Sequence, residues 1–501
     1  MRVDPRTPCI VGVAQQTWHP GGDPAPEPLA MWEAVARVAA ADAGRPDVLG
    51  ALEGVNVVHC ASWSYDDPAG RLAERLGTRP GPRTGSILAG TAHQRLIDAA
   101  ADRILRNEND VELVVGGEAL WTLRRHRRAG ETPDWSHGAP VAGPPIDLDE
   151  WFLPTELAHG IVPAWLTFAL LDDARRQWLG ISPAEQATRS GRLLAAMSEV
   201  AAVNPHAWFP VARSADEITS PAPDNRFVAT PYTKRMVAFP DVDMAAATIV
   251  MSTSAADRLR IPDDRRVYLR AWGFGRDAVH LAARNELHAS PAMHTVFADT
   301  VARAGLTVDD IAVFDLYSCF PSSVDFARDA LGLAADDPRG VTVTGGLPFQ
   351  GAPSANYTGH AVAGVVERVR AGAGPALVTG VGMHMTKHVA AVYAAEPGMV
   401  VRPDPALEQA LEARPHRPVV AKADGLATVA AQTVVHGRDG RPTHAIAICT
   451  GSAGERCYAR TDDPDTIADM LEHPWTGRVV ELRTAGDTNE VRTLASALAP
   501  R

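Results

Sequence analysis

Short apolar runs alternate with amphipathic stretches along the first part of the chain. Pro8–Ala14 (PCIVGVA) has the pattern of a buried strand, and the Ala-rich stretch Pro28–Ala41 sets Met31, Ala34, Val35 and Val38 on one helical face. Val55–Val58 reads as a strand, Gly70–Leu76 as a helix and Ser86–Leu88 as a strand end. Ala92–Leu105 is a clear helix and Val111–Val115 a further buried strand. Alternation of this kind predicts a parallel or mixed sheet with helices on its faces, and ligands then sit beyond the carboxyl ends of the strands.

From about Leu120 to Pro240 the pattern changes. Prolines and tryptophans (Trp121, Trp135, Trp151, Trp165, Trp178, Trp208) punctuate loops, with helical segments near Trp165–Trp178 and Ser182–Val203, as in a large insertion covering one face. The βα pattern resumes with strands Ala246–Met251 and Val267–Trp272, a helix near Pro291–Ala304, the strand Ile311–Leu316 and the helix Pro321–Leu331. It continues through the strand Val341–Thr344, the helix Tyr357–Arg370, the strand Ala376–Thr379 and a closing strand near Val389–Tyr393. Two similarly ordered halves point to a duplicated domain, although they share too little sequence to count as a repeat.

Beyond Glu396–Pro418, rich in Pro, Glu and Arg, the texture is all-β: Leu426–Val435, a turn at Gly437–Gly440, His444–Cys449, Arg456–Ala459 and Arg478–Leu482. Short strands of this number predict a small barrel of the OB type. It lacks the aromatic and basic face of nucleic-acid binders, so its expected role is packing or acyl-chain binding. The expected units are 1–255, including a covering region at about 120–240, then 256–396 and 418–501.

Composition adds limits. The 501 residues are too many for one core, and 46% hydrophobic with 22% charged residues is ordinary for a soluble protein. No apolar run approaches the roughly 18 residues of a membrane span, and the start lacks the charged lead and long apolar stretch of a secretory signal, so the expectation is a cytoplasmic protein. Five scattered cysteines without CxxC spacing predict neither a disulfide framework nor a metal site. A net charge of −12 argues against a general nucleic-acid binder.

Four stretches carry candidate chemistry. Asp315-Leu-Tyr-Ser-Cys-Phe-Pro321 lies between a strand and a helix, where Tyr317 and Cys319 are candidates for proton transfer; a thiol near a helix N-terminus is expected to have a lowered pKa. The glycine-rich run Gly345–His360 offers close backbone approach to a ligand at Gly345, Gly346 and Gly351, with Asn356 beside them; a plain tight turn is the alternative. His360 falls in the following helix, where a core or capping role competes with catalysis. Gly380-Val-Gly382 reads as another strand-end loop, with His384 lining the pocket and Lys387 and His388 structural. In Arg124-Arg-His-Arg-Arg128, Arg124 and Arg125 are either part of a solvated face or phosphate contacts of an anionic ligand.

In this order the loops resemble the thiolase superfamily, in its sterol-carrier-protein and lipid-transfer-type branch. The similarity spans roughly residues 5–395 and rests on Val11-Gly-Val13, Val114-Val-Gly-Gly-Glu118, Ser318-Cys-Phe320, Gly345-Gly-Leu347 and Gly351-Ala-Pro353. Gly425–Thr484 resembles the OB-type acyl-CoA-associated domain of some members. The resemblance implies an α/β duplicated thiolase fold, two βαβ-type halves layered α-β-α-β-α, with the barrel fused behind. It also implies acetyl-CoA acetyltransferase ancestry, coenzyme A or an acyl-CoA as ligand, no covalently bound cofactor, and a homodimer through the sheet edge and central helix, with a monomer left open by the altered central loop.

Members that work as thiolases carry a nucleophilic Cys before the central helix, a His-Asp-Cys-Phe motif and a Gly-His-Pro motif. Here the first window, Ala89-Gly-Thr-Ala-His-Gln94, holds Thr91 and no cysteine. The second is Tyr317-Ser-Cys-Phe320, and the third is Gly351-Ala352-Pro353. An acyl-enzyme needs a thiolate activated by an imidazole, and neither alanine nor an unactivated hydroxyl replaces that pair. The expected function is therefore CoA-thioester binding in lipid metabolism without ordinary thiolase chemistry. Two other expectations stand beside it: a retro-aldolase on a β-hydroxyacyl-CoA, using Tyr317 with Tyr357 or His384, and a scaffold partner of an acyl-CoA enzyme.

Overall fold

The computed structural model describes residues 3–140 and 147–492. Four strands come first: β1 (Pro8–Thr17), β2 (Gly54–Val57), β3 (Arg83–Gly85) and β4 (Val111–Ala119). The covering segment adds a short hairpin, β5 (Phe227–Ala229) and β6 (Tyr232–Thr233). Then follow β7 (Asp243–Ser252), β8 (Val267–Arg276), β9 (Val313–Asp315), β10 (Ala376–Gly382) and β11 (Lys387–Ala394), and finally β12 (Gly425–His436), β13 (Pro442–Thr450), β14 (Arg456–Thr461), β15 (Val479–Ala485) and β16 (Thr488–Arg492).

Strand order makes the duplication visible where sequence similarity does not. The main sheet runs β3-β2-β4-β7-β1 and then β8-β11-β10-β9. In each half the strand next to the innermost one, β7 or β11, is antiparallel to both neighbours, and the outer strands are parallel. The halves touch edge to edge for two residues of each strand, Cys9 and Ile10 opposite Tyr268 and Val267. Between them lie the helices Ala92–Leu105 and Tyr357–Arg370, the latter packed on β1 and β7 of one half and on β9 and β10 of the other. The helix Pro28–Asp42 covers the outside of the first half, and the helix Pro291–Arg303 that of the second. This is the layered, duplicated α/β architecture.

Because helices cover both faces, β7 is buried along its whole length, which suits its apolar run Met244–Met251. The outer helix buries Met31, Trp32, Val35, Ala36 and Ala39, whereas Val38 is exposed, so its apolar face is rotated from the one expected. The second half lacks one strand of the first. The expected strand Val341–Thr344 is irregular, because its polar groups serve a side chain instead of a ladder: Val343 N and Thr342 Oγ1 each donate to Asp315 Oδ2 at 2.9 Å.

The C-terminal strands form a ring, β12-β13-β14-β16-β15 and back to β12, a closed five-stranded barrel of the OB kind. One helix, Pro464–Glu472, interrupts the all-β pattern and sends Ile467 and Met470 into the barrel core beside Trp475. The hairpin of the covering segment extends the same sheet, with Ala229 opposite Val435 and Thr230 N donating to Val434 O at 2.9 Å.

A buried polar seam docks the barrel on the rest. Tyr458 Oη donates to Glu156 Oε1 at 2.6 Å and accepts from Ala282 N at 3.0 Å. Glu156 Oε2 accepts from Leu153 N at 2.8 Å and lies 3.1 Å from His280 Nδ1. Arg456 donates to Arg284 O, and Arg284 in turn donates to His384 O at 2.7 Å. Among the described residues no helix is long and apolar enough to cross a membrane, and no group of three or more His, Cys, Asp or Glu side chains is placed to hold a metal ion.

Candidate functional site

Three segments meet at the carboxyl ends of β3, β9 and β10. The first, Ala89-Gly90-Thr91, leads into the helix Ala92–Leu105, with Thr91 at its N-cap but its side chain not capping. A Cβ on Gly90 would lie 2.2 Å from both Tyr317 Oη and Val381 O, so only glycine lets the other two segments close on this one. Tyr317 is fixed through its backbone N–H, which donates to Thr379 Oγ1 at 2.9 Å, and its ring meets Tyr357 edge-on at 5.4 Å. The structure thus brings Thr91, Tyr317 and the Gly380–Gly382 stretch together. Gly380 and Gly382 belong to β10 itself and not to a loop after it.

Beneath Tyr317 lies a network of neutral donors. Tyr357 Oη donates to Asp315 Oδ1 at 3.1 Å and lies 2.6 Å from Thr344 Oγ1. Burial pushes the Asp315 carboxyl up to about 6, against the hydrogen bonds from Val343, Thr342 and Tyr357. Tyr317 is driven well above the ordinary tyrosine value by burial and then by Cys319. Burial pushes the Cys319 thiol up to about 12, with only small lowering by Ser323 and nearby amides. This reverses the lowering expected at a helix N-terminus: that effect is worth about 1 kcal/mol or less at most sites, and full desolvation exceeds it.

His384 occupies the turn between β10 and β11, flanked by Met383 and Met385 at φ 55° and 54°. Thr167 Oγ1 lies 2.8 Å from His384 Nδ1 and 3.0 Å from Ala164 O, which ties the imidazole to the helix Ala164–Leu179. Burial, then Arg284, brings the imidazole down to about 4. Its ring also meets Phe152 edge-on at 5.3 Å, so the covering segment and Arg284 together surround it.

The covering segment closes the site from above. Ala238 N donates to Cys319 O, and Ala352 N to Phe239 O, both at 2.9 Å; Trp208 N and Phe209 N donate at the same distance to Gln350 O and Phe349 O. Phe168 and Tyr232 stack on Phe320, at 4.4 and 5.5 Å. Thr91, Tyr317, Cys319 and Ala352 are 2, 6, 9 and 6% exposed.

The remaining expected contacts lie elsewhere or are already occupied. Gly345, Gly346 and Gly351 all have positive φ, and the close approach each allows is to the protein itself: a Cβ on Gly346 would meet Met197 Cε at 2.1 Å and Ser318 Oγ at 2.6 Å. Packing therefore accounts for these glycines without a ligand. Asn356 Nδ2 donates to Gly116 O at 2.8 Å and its Oδ1 lies 2.7 Å from His93 Nδ1, a strand-to-helix tie no local signal announces. Arg124 is ion-paired with Asp241, and Arg125 is exposed on the same helix, Leu120–Ala129. His360 is buried in its helix, with Nδ1 3.1 Å from Gln15 Oε1.

Comparison with known proteins adds the following. Residues 406–487 match the family described as thiolase-like protein type 1 additional C-terminal domain. A monomeric SCP2-thiolase like protein type 1 from Mycobacterium smegmatis, known from its crystal structure, is 31% identical with a TM-score of 0.86, covering 98% of this chain and 100% of that one. An Ltp2-ChsH2(DUF35) aldolase matches at 17% identity and TM-score 0.59, covering 78% of this chain and 98% of that one. Human mitochondrial 3-ketoacyl-CoA thiolase matches at 16% and 0.55, covering 78% and 100%. These last two likenesses show the fold alone. No curated protein matches.

Proposed function

The chain belongs to the SCP2-thiolase-like protein type 1 family, and from that premise we propose that it binds CoA or an acyl-CoA thioester without forming a thiolase acyl-enzyme. One observation carries the reading: the three strand-end segments still converge, while the positions corresponding to the nucleophile and the activating histidine hold Thr91 and Ala352. With alanine at 352 that position offers no imidazole to take the Thr91 proton, and the retained Cys319 is held as a neutral thiol by burial. The scaffold thus keeps the converging strand ends and lacks the activated pair.

The test is calorimetric titration with CoA and acetyl-CoA, followed by product analysis of the same mixtures. Saturable binding without acetyl transfer is expected, together with faster amide exchange at Trp208, Phe209 and Ala238 as the covering segment parts. Absence of binding by either ligand sinks the reading. Cleavage of a branched β-hydroxyacyl-CoA would replace it with the aldolase alternative.

We further propose that the protein is a monomer, as its M. smegmatis relative is described. The outer edge strand of the first half, β3, has only three residues, with Arg83 and Gly85 exposed, which offers little to a second sheet. Light scattering on the purified protein is expected to give the monomer mass; a dimer at micromolar concentration overturns this.

A further inference from the structure

A cleft of about 750 Å³ opens between the helices Pro183–Val203 and Pro321–Leu331 and the outer edge strand β9. Its size falls within the roughly 300–1,000 Å³ of small-molecule sites. The floor is apolar, with Phe314, Val343, Leu193 and Met197. The walls carry six arginines, Arg175, Arg189, Arg192, Arg328, Arg339 and Arg368, against three aspartates, Asp325, Asp336 and Asp337, in a chain whose net charge is −12.

Three of the arginines are already neutralised. Arg175 is bound by Asp325 and Asp329, Arg189 by Glu185, and Arg339 by Asp337 at 2.6 Å while it lies 4.9 Å over the Phe314 ring. The other three are not. Arg192 and Arg368 have no ion pair among the described residues. Arg328, with a side chain 12% exposed, has only a 3.8 Å contact with Asp325, a carboxylate it shares with Arg175, and its buried Nε has no acceptor. Leaving a buried guanidinium donor unmade costs free energy, and an anion in the cleft supplies the acceptor.

We propose that this cleft binds a small organic phosphate, its head held by Arg192, Arg328 and Arg368 and its apolar or aromatic body laid on Phe314 and Val343. Several guanidiniums on one head favour a dianionic phosphate over a single carboxylate. The site goes beyond the proposed thioester reading but adjoins it. Met197, which lines the cleft, also fills the space over Gly346 beside Ser318, so one flexible side chain touches both.

The experiment uses adenosine 3′,5′-bisphosphate as probe, inorganic phosphate as a head without a body, and the variant R192A/R368A of the full chain. Both arginines are exposed and unpaired, so the variant should melt as the parent does. The bisphosphate is expected to bind saturably and more tightly than phosphate, and to lose about tenfold or more in affinity in the variant. No binding by either probe, or equal affinity in the variant, overturns the proposal. Competition with CoA then identifies the source of the phosphate. If CoA displaces the probe and is weakened in the same variant, the cleft seats the phosphate end of the thioester ligand; if both bind together, it takes a separate metabolite. If CoA binds nowhere while the probe does, the proposed function fails and the cleft stands.

Discussion

The strand-end site and the seam beneath the barrel each bury a carboxyl group, and they treat it in opposite ways. Asp315, in the site, receives only neutral donors, and burial raises it to about 6. Glu156, in the seam, is nearly as buried, yet His280, Tyr458 and the Leu153 amide together overcome the upward push of burial and hold it below the ordinary glutamate value. Asp315 has hydrogen-bond donors but no cationic partner, whereas Glu156 has His280 beside its donors. The difference teaches that the stronger electrostatic support for a buried carboxylate lies where the barrel docks and not where a nucleophile would be activated.

Four perturbations sharpen that contrast, in decreasing order of effect. Cys319 should react with iodoacetamide about a thousandfold more slowly in the native protein than in denaturant at pH 7.5, since burial pushes its thiol up to about 12; rapid native labelling, mapped by mass spectrometry, would show that the site supports a thiolate. Glu156→Ala strands Tyr458 Oη, His280 and Leu153 N–H, and should cost about 3 kcal/mol in denaturant unfolding. The Asp315→Asn variant probes the sign. A carboxyl raised in the folded state contributes fully below its unfolded value and loses that contribution as pH rises toward about 6, so the variant should gain about 2 kcal/mol relative to the parent between pH 4 and 7. The contribution of Glu156 runs the other way, present above its unfolded value and lost as pH falls through the folded one. Tyr458→Phe, which leaves the Ala282 N–H and one glutamate oxygen short of a partner, should cost about 1 kcal/mol, read as a lower melting temperature.

How much of this was legible in the sequence depended on whether the signal was local. The helices Ala92–Leu105, Pro321–Leu331 and Tyr357–Arg370 appear with the boundaries their periodicity predicts, because their apolar spacing lies within the segment. The strand order, the ring closure of β12 on β13 and β15, and the hairpin that joins them are pairings between residues far apart, and no window contains them. The glycines at 345, 346 and 351 signalled close approach correctly but could not say to what; the answer is the helix Pro183–Val203 for the first two and Met244, Val242 and Trp208 for the third. Sequence likewise pointed to the arginine run at 124–128. The cleft arginines were overlooked because Arg192, Arg328 and Arg368 come from three separate helices, although the spacing of Arg189 and Arg192 marked one charged helical stripe.

The hairpin shared between the covering segment and the barrel sheet has a consequence for inheritance. A gene divided anywhere in 396–418 would yield one polypeptide with β5 bearing a bare edge and Glu156 without Tyr458, and another whose five-stranded barrel has lost the hairpin opposite Val435. The two products would then have to find each other before anything else paired with the exposed strand. Fusion in a single chain removes that race.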